Sequence, residues 1–164
     1  MGRSIKAQYQ SFIALLIVVG VVSGVAGAVW AHSGATGVVA TRMDAMKDMG
    51  KQMKSLAQMI RGQGEFDRQA AQRAAAAVAA HADDIPKLFP AGSLNHPSEA
   101  TPAVWTDWER FTDLADELSR RAEALGRVAE TAVRPAALRA PFAAMGKSCK
   151  SCHADFRIKK GDRK

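Results

Sequence analysis

The hydrophobic positions of this chain first repeat with a helical period at residues 38–61. Their spacing alternates between three and four residues, as in an amphipathic helix with one buried face. The stripe consists of Met46, Met49, Met53, Leu56 and Ile60. Gly62 and Gly64 follow directly, and glycine is a common residue just past the end of a helix. The pattern therefore predicts a first helix that ends near residue 61.

Three further helices are predicted from the same kind of pattern. The second covers residues 66–85 and ends at Pro86, because proline lacks an amide donor and restrains the residue before it. The third covers residues 102–130 and has the clearest repeat in the chain. Its stripe is Val104, Trp108, Phe111, Ala115, Leu118, Ala122 and Leu125. The fourth begins at Pro135 and runs to Phe156.

Four amphipathic helices without a strand pattern predict an all-α fold, an antiparallel four-helix bundle. The stretch 86–102 contains four prolines and is predicted to be a long loop between the second and third helices. The bundle occupies residues 32–164, a length that suits one domain.

Residues 1–31 form a separate unit. Arg3 and Lys6 precede an apolar run over residues 11–30, which contains no charged residue and ends in small residues that suit signal cleavage. The run also reaches the roughly 20 residues that span a bilayer. Two interpretations stay open: a cleaved signal peptide, or an N-terminal membrane anchor. Both predict that residues 32–164 lie in the periplasm, either soluble after cleavage or anchored to the inner membrane.

The chain is basic, but its charge does not indicate nucleic-acid binding. Residues 1–31 contain two basic residues and no acidic one, so the formal charge falls from +7 for the whole chain to +5 for residues 32–164. The remaining bases are interleaved with acids along the helices, without the basic groove or aromatic platform that nucleic-acid binding uses. The positive charge is instead consistent with an acidic protein partner or a membrane surface.

The candidate chemistry lies in the sequence Cys149-Lys150-Ser151-Cys152-His153, which contains both cysteines of the chain. C-x-x-C-H is the attachment signature of c-type haem. Two thiols add to the two vinyl groups of the porphyrin, and the adjacent imidazole reaches the iron. On a helix, residues spaced by three and four project from one side. The motif therefore predicts one covalent haem c, attached to the C-terminal helix and facing the bundle interior.

Two other roles of a C-x-x-C pair fit this sequence less well. A redox-active dithiol of the C-x-x-C type needs a βαβ context, which the helical pattern does not provide. A structural zinc site needs about four ligands, and only His32, His81 and His96 remain to complete one.

In these motifs the chain resembles the cytochrome c′ family, the class II c-type cytochromes. It is most similar to the low-spin members of that family, which have histidine and methionine ligands. The resemblance covers about residues 34–160. It is carried by Arg42-x-x-x-Met46-x-x-x-Gly50, by Ile85-Pro86-x-Leu88-Phe89-Pro90-x-Gly92-Ser93, by Val104-Trp105, and by Cys149-x-x-Cys152-His153-x-x-Phe156-Arg157. The last of these motifs is the most specific.

The resemblance implies roles for five side chains. His153 is the proximal ligand of the iron, and Met46 stands at the distal position, where low-spin members place a methionine ligand. Met46 also belongs to a methionine-rich stripe of the kind that usually fills a core. Arg42 matches a position near the haem propionates, with an exposed helix arginine as the alternative. Trp105 and Phe156 are expected to pack against the haem.

These assignments imply an exported protein that carries single electrons through a haem held between His153 and Met46, since such ligation raises the reduction potential. The alternative is a five-coordinate haem protein that binds or buffers nitric oxide or carbon monoxide. The sequence shows no nucleophile–base pair of the kind that would indicate an enzyme. The expected partners are acidic redox proteins. The resemblance also suggests a homodimer formed through the first two helices.

Overall fold

The computed structural model describes residues 34–159 and residue 161. In chain order, the helices of this part are α1 (Gly37–Ile60), α2 (Arg68–Asp84), the short α3 (Ala103–Thr106), α4 (Trp108–Thr131) and α5 (Arg139–Phe156). Two 3-10 turns, Pro86–Leu88 and Pro135–Leu138, precede α3 and α5. The predicted all-α bundle of four long helices is confirmed, with α1, α2, α4 and α5 as its members.

The leader proposed for residues 1–31 lies outside the described residues. Among the described helices, none combines the length and the apolar character needed to cross a bilayer.

Local signals account for the ends of α1 and α2. Gly62 has φ +72°, a left-handed conformation that glycine adopts without a steric penalty, and α1 ends two residues before it. Asp67 caps α2, because its carboxylate accepts a hydrogen bond from the amide of Ala70 at 3.0 Å. Pro86 lies directly beyond the C-cap residue of α2 and opens the 3-10 turn that follows.

Small side chains allow α2 and α4 to pack closely. The buried alanines of α2 are Ala71, Ala74, Ala75, Ala79 and Ala82. On α4, a Cβ added at Gly126 would lie 3.7 Å from the Cβ of Ala75, so the two backbones approach each other there. Val78 and Leu125, 1% and 0% exposed, fill the same interface. The alanine-rich face of α2 is therefore covered within the chain.

Two details of the predicted helices are wrong. The third helix is not continuous from residue 102, because Asp107 leaves helical geometry at φ −128° and ψ 54° and separates α3 from α4. Trp108, predicted to lie in the core, is the first residue of α4 after this break and is 41% exposed, whereas Val104 before the break is 0% exposed. The fourth helix begins with a 3-10 turn, and α5 proper starts at Arg139. Pro141 lies in the first turn of α5, where an amide has no intrahelical acceptor to lose.

The packing of the helices leaves space on one side of the bundle. α4 lies against both α2 and α5 along its length, whereas α1 and α5 contact each other only sparsely. A cavity opens where side chains of these two helices face the connection between α2 and α3.

Candidate haem-attachment site

The cavity beside α1 and α5 has a volume of about 620 Å³. This is within the range of about 300–1,000 Å³ that is common for sites of small molecules and cofactors. Residues from α1 that line it are Arg42, Met43, Met46 and Lys47; residues from α5 and its end are Cys152, His153, Phe156 and Arg157. Five of the seven residues expected at the haem, Arg42, Met46, Cys152, His153 and Phe156, thus line one cavity.

The attachment motif lies in the last turns of α5. Cys149 and Cys152 are partly buried free thiols, and both pack against the hydrophobic core. Cys152 and His153 line the cavity, while Cys149 lies one turn earlier on the same helix. The structure therefore brings two thiols and an imidazole to one end of α5, beside an apolar space.

Before the haem is attached, the environment of the motif favours the protonated form of its thiols. Burial, together with smaller contributions from the neighbouring Cys149 and Asp155, raises the pKa of Cys152 to about 11. Burial also raises the pKa of Cys149. Redox-active cysteines instead have lowered pKa values, because the thiolate is the reactive form. These thiols do not resemble a catalytic dithiol.

The donor set suits a haem better than a metal ion held by protein side chains alone. Within the described residues, no group of three or more His, Cys, Asp or Glu side chains is placed to hold a metal. Two thiols spaced for the porphyrin vinyl groups, one adjacent imidazole and apolar walls match what a covalent haem requires. The residues present fit this cofactor.

His153 is exposed at the rim of the cavity. Partial removal of its ring from water lowers the pKa of the imidazole, the charge of Arg157 lowers it further, and Glu99 opposes both effects. A neutral imidazole is the form that binds a metal. The positive charge of Arg157 thus acts on His153, and its guanidinium also pairs with the Glu99 carboxylate.

The α1 side of the cavity combines two methionines with two basic side chains, Arg42 and Lys47. Met43 and Met46 are both partly buried and line it, so spacing along α1 does not by itself single out one methionine. Lys47 is exposed at the edge and pairs with Asp44 at 3.4 Å. Met46 does share the cavity with His153, as the assignment of a distal residue requires.

Two residues expected at the haem contact another segment. Residues 86–100, here called the strap, lie between α2 and α3 and supply one wall of the cavity. Arg42 is 5% exposed, and its guanidinium donates to the carbonyl oxygens of Leu88 and Ser93 in the strap. The indole N–H of Trp105 donates to the Phe89 carbonyl at 2.9 Å. Arg42 is not an exposed helix arginine, and the polar group of Trp105 is directed to the strap.

Sequence reasoning missed the aromatic cluster that joins the cavity walls. Phe111 of α4 meets Phe89 of the strap at 4.9 Å and Phe156 of α5 at 5.2 Å between ring centroids, both edge to face. Phe89, Phe111 and Phe156 all line the cavity. The helical stripe predicts only that Phe111 is buried, and the Leu88-Phe89-Pro90 sequence is the available signal for Phe89.

Fold and site together define a class of protein, a c-type haem protein built on a helical bundle. The sequence profile of the family described as Cytochrome C′ matches residues 37–157. The chain therefore belongs to the cytochrome c′ family, and it is a haem protein with one covalently attached haem c.

Individual relatives cover most of the chain. Cytochrome c′ of Rhodopseudomonas palustris is 37% identical over 76% of this chain and 84% of that protein. A solved structure of cytochrome c′ from this organism has a TM-score of 0.70 at 36% identity, covering 77% of this chain and 99% of its own. Cytochrome c-556 of Agrobacterium fabrum is 33% identical over 82% of this chain and 88% of that protein.

Proposed function

We propose that this protein binds a small neutral gas, such as nitric oxide or carbon monoxide, beside a haem c whose iron is five-coordinate. The similarity to proteins named cytochrome c′ supports this alternative over the His/Met electron carrier. The observation that carries it is the apolar part of the cavity lining. Met43, Met46, Ile85 and Phe89 supply apolar wall, which suits a neutral diatomic molecule, while Arg42 donates to strap carbonyls and Lys47 is exposed at the edge.

The chain's own residues would prepare this site in three ways. Cys149 and Cys152 would fix the haem to α5, and His153 would hold the iron as a neutral imidazole. When bound, the haem supplies one-electron chemistry and a coordination position for the gas. Apolar side chains of α1 would exclude water from the distal space, where Met46 would act by its bulk rather than as a ligand.

A second function is favoured by one specific observation. Met46 carries a thioether and lines the same cavity as His153, and the relative named cytochrome c-556 is 33% identical. If Met46 were the sixth ligand, both faces of the iron would be occupied and the protein would suit electron transfer. The proposed gas site and this electron carrier differ only in the role of Met46.

Variants of the two cavity methionines separate these functions. We expect Met46→Leu to leave the absorption spectrum of the ferric holoprotein unchanged and its carbon monoxide affinity, measured in the ferrous state, within about threefold, since one apolar group replaces another. Met43→Leu is the matched control, because Met43 lines the same cavity. Loss of a far-red thioether band and new high-spin features in Met46→Leu alone would establish the electron carrier instead.

The proposal includes export to the periplasm, with residues 1–31 as signal or anchor. Mass spectrometry of the mature N-terminus distinguishes the two.

A homodimer formed through α1 and α2 would use surface other than the buried alanines of α2, since α4 covers them. An acidic redox partner remains a prediction, and salt-dependent association would support it.

A further inference from the structure

The strap is fixed to the bundle at its far end by the segment that follows the haem-attachment motif. The amide of Ile158 donates to the Glu99 carbonyl at 2.8 Å, and the amide of Thr101 donates to the Phe156 carbonyl at 2.9 Å. The Arg157 Nε donates to the Glu99 carboxylate at 2.8 Å. This end of the strap is therefore held by α5 and the residues just after it.

Arg42 holds the other end of the strap to α1. Its Nη1 donates to the Leu88 carbonyl at 3.4 Å, and its Nη2 donates to the Ser93 carbonyl. The guanidinium carbon lies 4.3 Å from the centroid of the Phe89 ring, between these two carbonyls in sequence. A planar guanidinium can bridge two acceptors while it stacks on a ring, whereas a lysine ammonium provides one point charge.

Movement of the strap would reach both helices that flank the cavity. Phe89 packs edge to face on Phe111, and Phe111 packs in the same way on Phe156, three residues after His153. Arg42 itself lies one helical turn before Met46 on α1. The contacts of Arg42 thus connect the distal helix, the strap and the helix that carries the attachment motif.

We propose that Arg42 is a positioning residue that keeps the strap closed over the haem cavity and thereby sets how fast a small ligand enters and leaves. The small ligand is the gas of the proposed function, and the effect on its binding kinetics rests on that proposal. The resemblance alone places this arginine near the haem propionates. Here two of its five N–H donors are committed to strap carbonyls.

The test compares Arg42→Lys and Arg42→Met with Lys54→Met in the holoprotein. Lys54 lies on the same helix, is exposed and does not line the cavity, so its variant removes a positive charge away from the strap. We expect amide hydrogen exchange in the strap to be about tenfold faster in both Arg42 variants, since hydrogen bonds to a charged group are lost. Exchange in α4 should not change, and Lys54→Met should behave as wild type.

Flash photolysis of the carbon monoxide complex gives the functional readout. Association in the Arg42 variants should be about threefold faster or more, and unchanged in Lys54→Met. Should Arg42→Met fail to fold, Phe89→Leu removes the ring from the same contact and should also speed strap exchange. Wild-type strap exchange in Arg42→Lys and Arg42→Met, with only the reduction potential altered, would overturn the proposal in favour of a propionate contact. If wild type binds no carbon monoxide, the proposed function fails, while strap exchange still decides the role of Arg42.

Discussion

Phe111 is the side chain best placed to test how the cavity walls are held together. It is 2% exposed and contacts three rings. The centroid distances are 4.9 Å to Phe89, 5.6 Å to Trp108 and 5.2 Å to Phe156. Each aromatic pair adds about 0.5–1.5 kcal/mol beyond burial. Since the three pairs share one ring and do not add fully, we expect Phe111→Leu to lower the free energy of unfolding by about 1.5–3 kcal/mol.

Urea unfolding of the holoprotein, followed by far-ultraviolet circular dichroism, measures this loss. Phe66→Leu is the matched control. Phe66 is partly buried in the connection between α1 and α2, and it has no ring contact in the part of the chain that the structure describes. It should lose less than about 1 kcal/mol. Equal losses in the two variants would refute the idea that the aromatic cluster joins the walls of the cavity.

Two further results are expected. Replacing both Cys149 and Cys152 by serine should make the haem extractable into acidified organic solvent, whereas haem retained by that variant would contradict thioether attachment. A hydrogen bond with His81 lowers the pKa of Asp48, with a second contribution from Gln52. A carboxyl of lowered pKa stabilises the fold above its unfolded pKa and loses that contribution as pH falls through the folded value. Wild type should therefore exceed Asp48→Asn in urea stability at pH 6, with the difference shrinking below about pH 4; a constant difference would count against the pair.

Much of the bundle could be predicted because helices that bury one face leave a periodic record in the sequence. Leu56 in the stripe of the first helix and Leu125 in the stripe of the third predicted helix are both 0% exposed. The attachment motif could be predicted equally well, since its chemistry is confined to five consecutive residues. Periodicity failed at Trp108, which is the first residue of α4, directly after the non-helical Asp107, and lies at the exposed end of the stripe.

The walls of the cavity could not be predicted in the same way. The strap has no repeat, and its position depends on contacts between residues far apart in sequence, such as Arg42 with Ser93 and Glu99 with Arg157. A sequence pattern indicates that Arg42 occupies a helix, but not that the guanidinium is buried against backbone carbonyls. Nor does it decide between Met43 and Met46, which line the same cavity.

The role of the distal methionine is the central question for function, and the absorption spectrum of the purified holoprotein addresses it most directly. The spectrum is recorded in the ferric state, and in the ferrous state before and after addition of carbon monoxide. We expect high-spin features in both oxidation states and ready formation of a carbon monoxide complex. A low-spin spectrum with a far-red thioether band and no response to carbon monoxide would contradict it, and would identify Met46 as an iron ligand in an electron carrier.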